Sequence, residues 1–474
     1  MNIQLKQTSK LSLFLVGALA ISSFAQDGDY RGKELRTSFR DKRIDNFRFD
    51  GAKAVEGQTD FQRSAGDAPS FYEADLHGIS FRNAVISNPD FRKANLQGVT
   101  ISGADIRGAN FEKANMEGAN LYRATLLDCA FPKANLKGAK LDAMKVSDKA
   151  DFSDANMEGA SVVDVDLTEA DFSDANLKNA NFSRSLMGSA DLSGATIVKT
   201  DFTACNLINA NFKGVDLTDV NFARAGLSRA KFGGAEFKNV NMQGADLSLT
   251  EFNDVDLSKV TLQKAQFAQS NIKNMQFNGH DLTEVVFDKG VVAKSSFEKA
   301  KMNGTSFFDS EVSKNIFKNA IMMKSVFDGA YIYKCIFDNA ELTKANFSSA
   351  TIEMTDFNGA KMSGTDFSGA TLKKVNFTNA NLAGVIINAD TKMDNVIFDG
   401  ADLSKAKIQK FTAKRVMYND KTKFPAGFNP REYGFTKPGE KAVEIVVNNK
   451  NSQNGSTTTD QPKKKRKKRK NTEY

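Results

Sequence analysis

The sequence predicts an all-β solenoid, a chain wound into stacked parallel coils, and three observations predict it. An apolar residue recurs every five positions through most of the chain. The residue two before it is again apolar or small, most often Ala. Phe, with 38 copies in 474 residues and no Trp beside it, alternates with aliphatic residues at every second recurrence.

The recurrence begins at Phe71 and steps through Leu76, Phe81, Ile86 and Phe91 to Val146. It slips by one residue in Ser147-Asp148-Lys149, resumes at Phe152 and runs to Ile387. A second slip falls within Asn388 to Lys392, and Met393, Phe398, Leu403 and Ile408 follow. All 68 central residues are apolar. On an α-helix a step of five would smear this stripe around the cylinder. On a flat strand an odd step would reverse the face each time. The stripe stays inward only if the chain turns a corner once per unit, and short sides joined by corners make a stacked β-coil. The residue two before each centre then also points inward, where converging sides leave room for little more than Ala.

Phe fixes the parity of the sides. From Phe267 to Phe377 every second centre is Phe, twelve in succession, with Ile, Leu, Val or Met between. A ten-residue alternation keeps its register from coil to coil only when the number of sides is even. Phe172, Phe182, Phe202, Phe212, Phe222 and Phe232 occupy the other pair of walls, so the exchange lies between Phe237 and Phe267.

The units Ala94-Asn95-Leu96-Gln97-Gly98, Ala170-Asp171-Phe172-Ser173-Asp174 and Ala401-Asp402-Leu403-Ser404-Lys405 resemble the repeat of the pentapeptide-repeat family, from Phe71 to about Ile408. That resemblance implies a right-handed four-sided parallel β-helix with four units per coil, hence about 17 coils. At the usual strand spacing such a rod is roughly 80 Å long.

Both raw ends of such a stack need covers. Residues 26–70 show no clean five-residue phase and are expected to form an N-terminal cap and loop. Residues 411–447, with Tyr418, Phe424 and Phe428, are expected to close the other end, as is common in the family. The repeat thus occupies 71–410. Residues 448–474 have the composition of a disordered linker, rich in Asn, Ser, Thr and Gln, followed by a basic tail.

Residues 1–25 read as a secretory signal peptide: Lys6 and Lys10, then an apolar run from Leu11 to Ile21, then Ser23-Phe24-Ala25 before a cut. The run is too short to span a bilayer. Export to the periplasm or the exterior is therefore expected, with no integral membrane segment after the cut. The formal net charge of +8 equals the charge of the tail alone: Lys463, Lys464, Lys465, Arg466, Lys467, Lys468, Arg469 and Lys470. The remainder is nearly balanced. The tail is a solubilising appendage or a clamp on an anionic polymer or surface.

No residue set points to catalysis. Cys129, Cys205 and Cys335 fall at inward positions on coils too far apart for a disulfide. His280 also falls at an inward position, and His77 faces out. There is no nucleophile–base pairing, phosphate loop or zinc spacing, so no cofactor, metal or small-molecule substrate is expected. The acidic run Asp151, Asp154, Glu158, Asp164, Asp166, Glu169, Asp171 and Asp174 winds around more than one coil and reads as solvated surface. One anomaly stands out. The residue before the centre is Asp or Asn in 17 of the 27 units from Phe152 to Leu282, and in none of the 11 from Phe287 to Phe337. Ile316, Ile336, Val326 and Tyr331 occupy that position there, and Phe308 and Tyr333 follow their centres. Either the β-branched residues simply suit a straight side of the coil, or these six are candidate protein contacts, for an unidentified partner or a second copy. The expected function is a secreted non-catalytic scaffold, tethered by its tail. The alternative is a nucleic-acid-mimicking, topoisomerase-modulating protein, as the resemblance implies for some members. The balanced charge of the repeat and the export signal weigh against it.

Overall fold

The computed structural model describes residues 28–252 and 255–440. The expected signal peptide, the linker and the basic tail lie outside these residues, as does the last part of the expected C-terminal cap. Among the described residues, the only helical segment is one 3-10 turn, Pro430–Tyr433, and every strand pairing is parallel. The protein is a right-handed four-sided β-helix of about 20 turns.

The register follows from the five-residue unit taken four times. Val291 pairs with Glu311, Glu311 with Tyr331, and Tyr331 with Thr351, each step twenty residues. Both slips appear as single-residue additions to one turn: Ala130 pairs with Asp151, and Thr371 with Lys392. We number the walls by their centres. Wall 1 holds Phe71, Phe91 and Phe111; wall 2 holds Leu76 and Leu96; wall 3 holds Phe81 and Ile101; wall 4 holds Ile86 and Ile106.

The N-terminal cover expected over 26–70 is itself wound into coils. Asp29 pairs with Arg48, Arg48 with Ser70, and Ser38 with Asp60. The chain keeps the coil while breaking the five-residue count. Leu35 and Phe39 are four apart, Ala54 and Phe61 seven, and small Ala54 and Gly66 stand where a large centre is usual. Phe39 stacks on Phe61 and Phe61 on Phe81, which continues wall 3 unbroken. These coils, with a further turn in which Lys392, Ile397 and Asp402 pair with Thr412, Met417 and Lys423, raise the count above the expected 17. At the described C-terminal end, Phe398 is covered by Phe435, and Phe424, Phe428 and Tyr433 pack around it.

One core runs the length of the stack. Phe rings pile coil on coil: Phe71, Phe91, Phe111 and Phe131 lie 4.8–5.0 Å apart within 6° of parallel. Each buried ring contributes about 1.5–3 kcal/mol of transfer free energy. Beyond the exchange the columns stand on walls 2 and 4, Phe277 to Phe377 and Phe267 to Phe367. In the exchange coil Phe232 meets Phe237 at 59° and Phe252 meets Phe267 at 60°, so neither column passes through unbroken.

The corner residue is the one two after each centre. Glu73, Asn83, Lys93 and Asp154 hold φ of 54–58°, in the left-handed region. The frequent Asp or Asn before the centre serves a different purpose. Asp90 Oδ1 accepts from the backbone N–H of Arg92, and on wall 2 the amides form a ladder. Asn115, Asn135, Asn156 and Asn176 each donate Nδ2 to the Oδ1 one coil back, at 2.9–3.1 Å. At several inward positions where Ser or Thr replaces Ala, the hydroxyl donates to a main-chain carbonyl of the preceding coil. Ser185 does so to Val162 at 2.7 Å and Thr305 to Leu282 at 2.9 Å. These buried hydroxyls are thereby satisfied, whereas the Ser64 and Ser325 hydroxyls have no partner.

Candidate interaction surface

The fold leaves three outward columns per wall: the residue before the centre, the one after it, and the corner. Residues twenty apart therefore stand one coil above another, and the surface is a lattice with a pitch near 4.8 Å.

The six candidate contact residues occupy three adjoining walls. Ile316 and Ile336 pair on wall 2 and are 40% and 39% exposed. Tyr331 and Tyr333 flank one centre on wall 1 with rings 6.1 Å apart and 10° from parallel, and burial pushes the Tyr331 phenol up. Phe308 and Val326 stand on wall 4, Phe308 exposed and beneath the Lys289 ammonium at 6.0 Å. A shallow groove of about 450 Å³ beside Tyr331 is lined by Gln269, Lys289, Asp309 and Glu311. Ile321, on wall 3, is half-buried between Lys301 and Glu341. The belt thus covers walls 4, 1 and 2 and thins on wall 3 to Ile321 and exposed Met323 between charged neighbours.

The inward residues behave as spacers. Cys129, Cys205 and Cys335 are free and buried, on walls 1, 4 and 2. Burial pushes each thiol up to about 12, and each Sγ donates to a main-chain carbonyl, Cys205 to Phe182 at 2.7 Å. A thiol so held is a poor nucleophile. His280 packs edge-on against Phe277, and exposed His77 lies 2.9 Å from Asp75. Among the described residues no group of His, Cys, Asp or Glu is placed to hold a metal ion.

Charge is ordered along the corner between walls 1 and 2. In the first coils its cations have acidic partners: Lys93 with Glu73 at 2.9 Å, Lys113 with Glu112 at 3.1 Å, Lys133 with Asp154 at 4.0 Å. Asp154 and Asp174 follow on the same corner, beside Asp151, Asp171 and Asp191, which pair in register on wall 1. The acidic run is therefore partly a column, with four of its carboxylates and Asp191 on one edge. Further along, Lys294, Lys314 and Lys334 stand one above another on that corner, exposed, with φ of 53–58°. Among the described residues no carboxylate pairs with any of the three. Sequence reasoning missed this ridge because it followed the apolar centre; reading every twentieth residue from a corner position finds it.

Comparison with known proteins covers residues 81–288 and 311–387 of the repeat. A model of the "Pentapeptide repeat region" matches residues 104–182, 164–232 and 311–387. A model of pentapeptide repeats in nine copies matches 81–125, and one in eight copies matches 221–258 and 250–288. Together they take in more than half of the chain. No curated protein matches the sequence. Among solved structures, the chain is similar to HetL, a pentapeptide repeat protein involved in heterocyst differentiation regulation in the cyanobacterium Nostoc. That match has 20% identity, covers 54% of this chain and 93% of HetL, and has a TM-score of 0.15. It is also similar to QnrB1, a plasmid-mediated fluoroquinolone resistance protein, at 17% identity, covering 51% and 94%, with a TM-score of 0.23. A mannuronic acid specific family 6 lyase from human gut microbiota matches at 10% identity, covering 85% and 84%, with a TM-score of 0.19. Periodicity, register and family models agree, and the chain belongs to the pentapeptide-repeat family.

Proposed function

We propose that this protein is an exported, non-catalytic interaction scaffold that engages a protein partner through the belt of coils around Ile316 and Ile336. The observation that carries the reading is the belt itself. Elsewhere the position before the centre is usually a polar, hydrogen-bonded Asp or Asn. Here Ile316 and Ile336 stand exposed in successive coils on wall 2, with exposed Tyr331 on wall 1 and Phe308 on wall 4. Exposed apolar surface on a rigid body marks a contact, and the buried thiols and scattered imidazoles offer no chemistry to compete with that use.

Export rests on the signal-peptide pattern of residues 1–25, with a mature N-terminus at Gln26. In this reading the tail from Lys463 to Lys470 holds the rod at an anionic surface, so its deletion weakens retention on heparin while the rod stays folded. The deciding experiment replaces Ile316→Asn and Ile336→Asn together. Asn is the residue this wall uses in other coils, so the fold is retained. Loss of the partner in a pull-down, or of self-association in sedimentation, supports the belt; unchanged profiles in both sink it.

A further inference from the structure

The groove beside Tyr331 follows the corner between walls 4 and 1. Gln269, Lys289, Asp309 and Gly329 occupy that corner on successive coils, with φ from 51° to 67°. Glu311 and Tyr331, in register on wall 1, complete the lining with Ser310, whose hydroxyl donates to the Phe307 carbonyl. On other corners several stacked opposite charges pair across one coil: Arg63 with Asp41 at 2.7 Å, Arg184 with Asp164 at 2.8 Å and Lys264 with Glu284 at 3.6 Å. Lys289 and Asp309 are stacked in the same way and do not pair; the Lys289 ammonium lies over the Phe308 ring instead. The neighbouring carboxylates are engaged, Asp288 by Ser306, Asp328 by Ser348 and Glu353 by Lys373. Among the described residues, by contrast, the side chains of Gln269, Lys289, Asp309, Glu311 and Tyr331 make no hydrogen bond or ion pair. The Tyr331 ring has Tyr333 on one side. On the other is the corner, where Gly329 has no side chain to cover it, and a Cβ there would meet only Asp309, at 3.8–3.9 Å.

We propose that this groove binds a neutral saccharide chain, with Tyr331 as the platform for one sugar ring and Asp309, Glu311, Lys289 and Gln269 as partners of its hydroxyls. The chemistry of the lining selects that class. The C–H face of a sugar packs on an aromatic ring, and its hydroxyls both donate and accept. Asp309 and Glu311 can only accept, Lys289 can only donate, and Gln269 does both. A polyanion would be repelled by Asp309 and Glu311, and a polycation by Lys289. An apolar peptide segment would bury all three charges without partners. A neutral polyol satisfies both signs at once. From Gln269 to Gly329 the corner rises about 14 Å, three strand spacings, so the ligand is a short stretch of chain lying along the rod. The site goes beyond the protein-contact reading, because it needs neither Ile316 nor Ile336, which stand on wall 2.

The test is calorimetric titration of the full chain with cellohexaose, laminarihexaose, maltohexaose and mannohexaose at millimolar concentration, and with hexagalacturonate as the anionic control. The expected result is binding of at least one neutral hexasaccharide in preference to the control. Tyr331→Ala should weaken it at least about tenfold, and Tyr331→Phe, which keeps the platform, by about twofold or less. Gly329→Lys removes no lining group and sets a long side chain in the groove, so it too should weaken binding at least about tenfold. Lys289 holds the same corner with φ of 56°, so the fold accepts Lys there. Circular dichroism checks that each variant is folded. The Ile316→Asn/Ile336→Asn variant should bind saccharide like the parent, so failure of the belt and failure of this site are read separately. The proposal is overturned if no neutral hexasaccharide binds, if hexagalacturonate binds more tightly than all of them, or if Tyr331→Ala and Gly329→Lys bind like the parent.

Discussion

The coils from Phe71 to Phe232 and those from Phe267 to Phe398 share one backbone and solve the core in two ways. In the first set Phe stacks on walls 1 and 3, and an amide ladder runs up wall 2 from Asn95 to Asn176. In the second Phe stacks on walls 2 and 4, the ladder gives way to Ile316 and Ile336, and the walls hold longer strands such as Thr371–Asn376 and Lys392–Ile397. The inside fixes only the total volume per coil, so two large and two aliphatic centres suffice on either pair of walls. The outside is free to differ, and it differs where the contact candidates lie.

The comparison predicts that both halves depend on their columns equally. Phe327→Ala, in the middle of a wall 4 column with neighbours at 4.8 and 4.7 Å, should cost about 3–5 kcal/mol. Phe111→Ala, on wall 1, should cost the same, and exposed Lys324→Ala almost nothing. Chemical denaturation measures all three. If Lys324→Ala matches Phe327→Ala, the inward register is wrong.

The exchange between the halves is the weak point of the stack. Phe237 is 8% exposed, where the other Phe centres are at or near zero, and Phe252 reaches Phe267 only at 60°. A cavity of about 720 Å³ opens beside Phe252, Val255 and Met275. Local opening should therefore be easiest here. Backbone amides of residues 257–265 should exchange hydrogen on the order of tenfold faster than those of 317–337. Uniform protection along the rod would mean that the change of columns carries no penalty.

What was legible in the sequence follows from which positions sterics constrain. The centre and its spacer sit in a core about four side chains wide, so only apolar or small residues fit. That is why Phe71 to Ile408 and both slips read directly. The N-terminal coils were hidden because Leu35 to Phe39 and Ala54 to Phe61 change the count at corners, where the backbone absorbs an added or missing residue without disturbing the pairing. The Asp and Asn before the centre recur in the sequence without showing what they bond. Their bonds to the backbone N–H two residues on lie within the unit, but those to the coil below depend on a stacking that five-residue units do not display. The lysine ridge needs the twenty-residue lattice.

The outer ladder should contribute less than the core. Asn135→Ala removes both the bond it donates to Asn115 and the one it accepts from Asn156, and should cost about 1–2 kcal/mol. Ile336→Asn, whose wall 2 neighbours are Ile316, with no acceptor, and Asp356, with no donor, should change stability by about 0.5 kcal/mol or less. Equal losses would show that wall 2 uses its outer column in the same way along its whole length.

The smallest effects should separate the halves by sign. Near the N-terminus the Arg63 guanidinium, in a two-point pair with Asp41, holds that carboxyl below its usual range. A depressed folded pKa favours the fold above the unfolded carboxyl value, and the contribution disappears as pH falls through the lowered one. Asp338, beside Ile336, is the opposite case. Burial pushes its carboxyl up, the Asp356 carboxylate one coil on adds to this, and its Oδ1 has no hydrogen-bond partner. A raised folded pKa means that the group's contribution is fully present below the unfolded value and is lost as pH rises through the folded one. At pH 7 the charged Asp338 is a cost that Asn would lack. Asp338→Asn should therefore stabilise the protein by about 0.5 kcal/mol at neutral pH, and the gain should vanish near pH 3. Asp41→Asn should lower stability at neutral pH and not near pH 3. Thermal unfolding of both variants across that range decides it, and matching pH profiles for the two would show that the local surroundings of these carboxylates do not set their contributions.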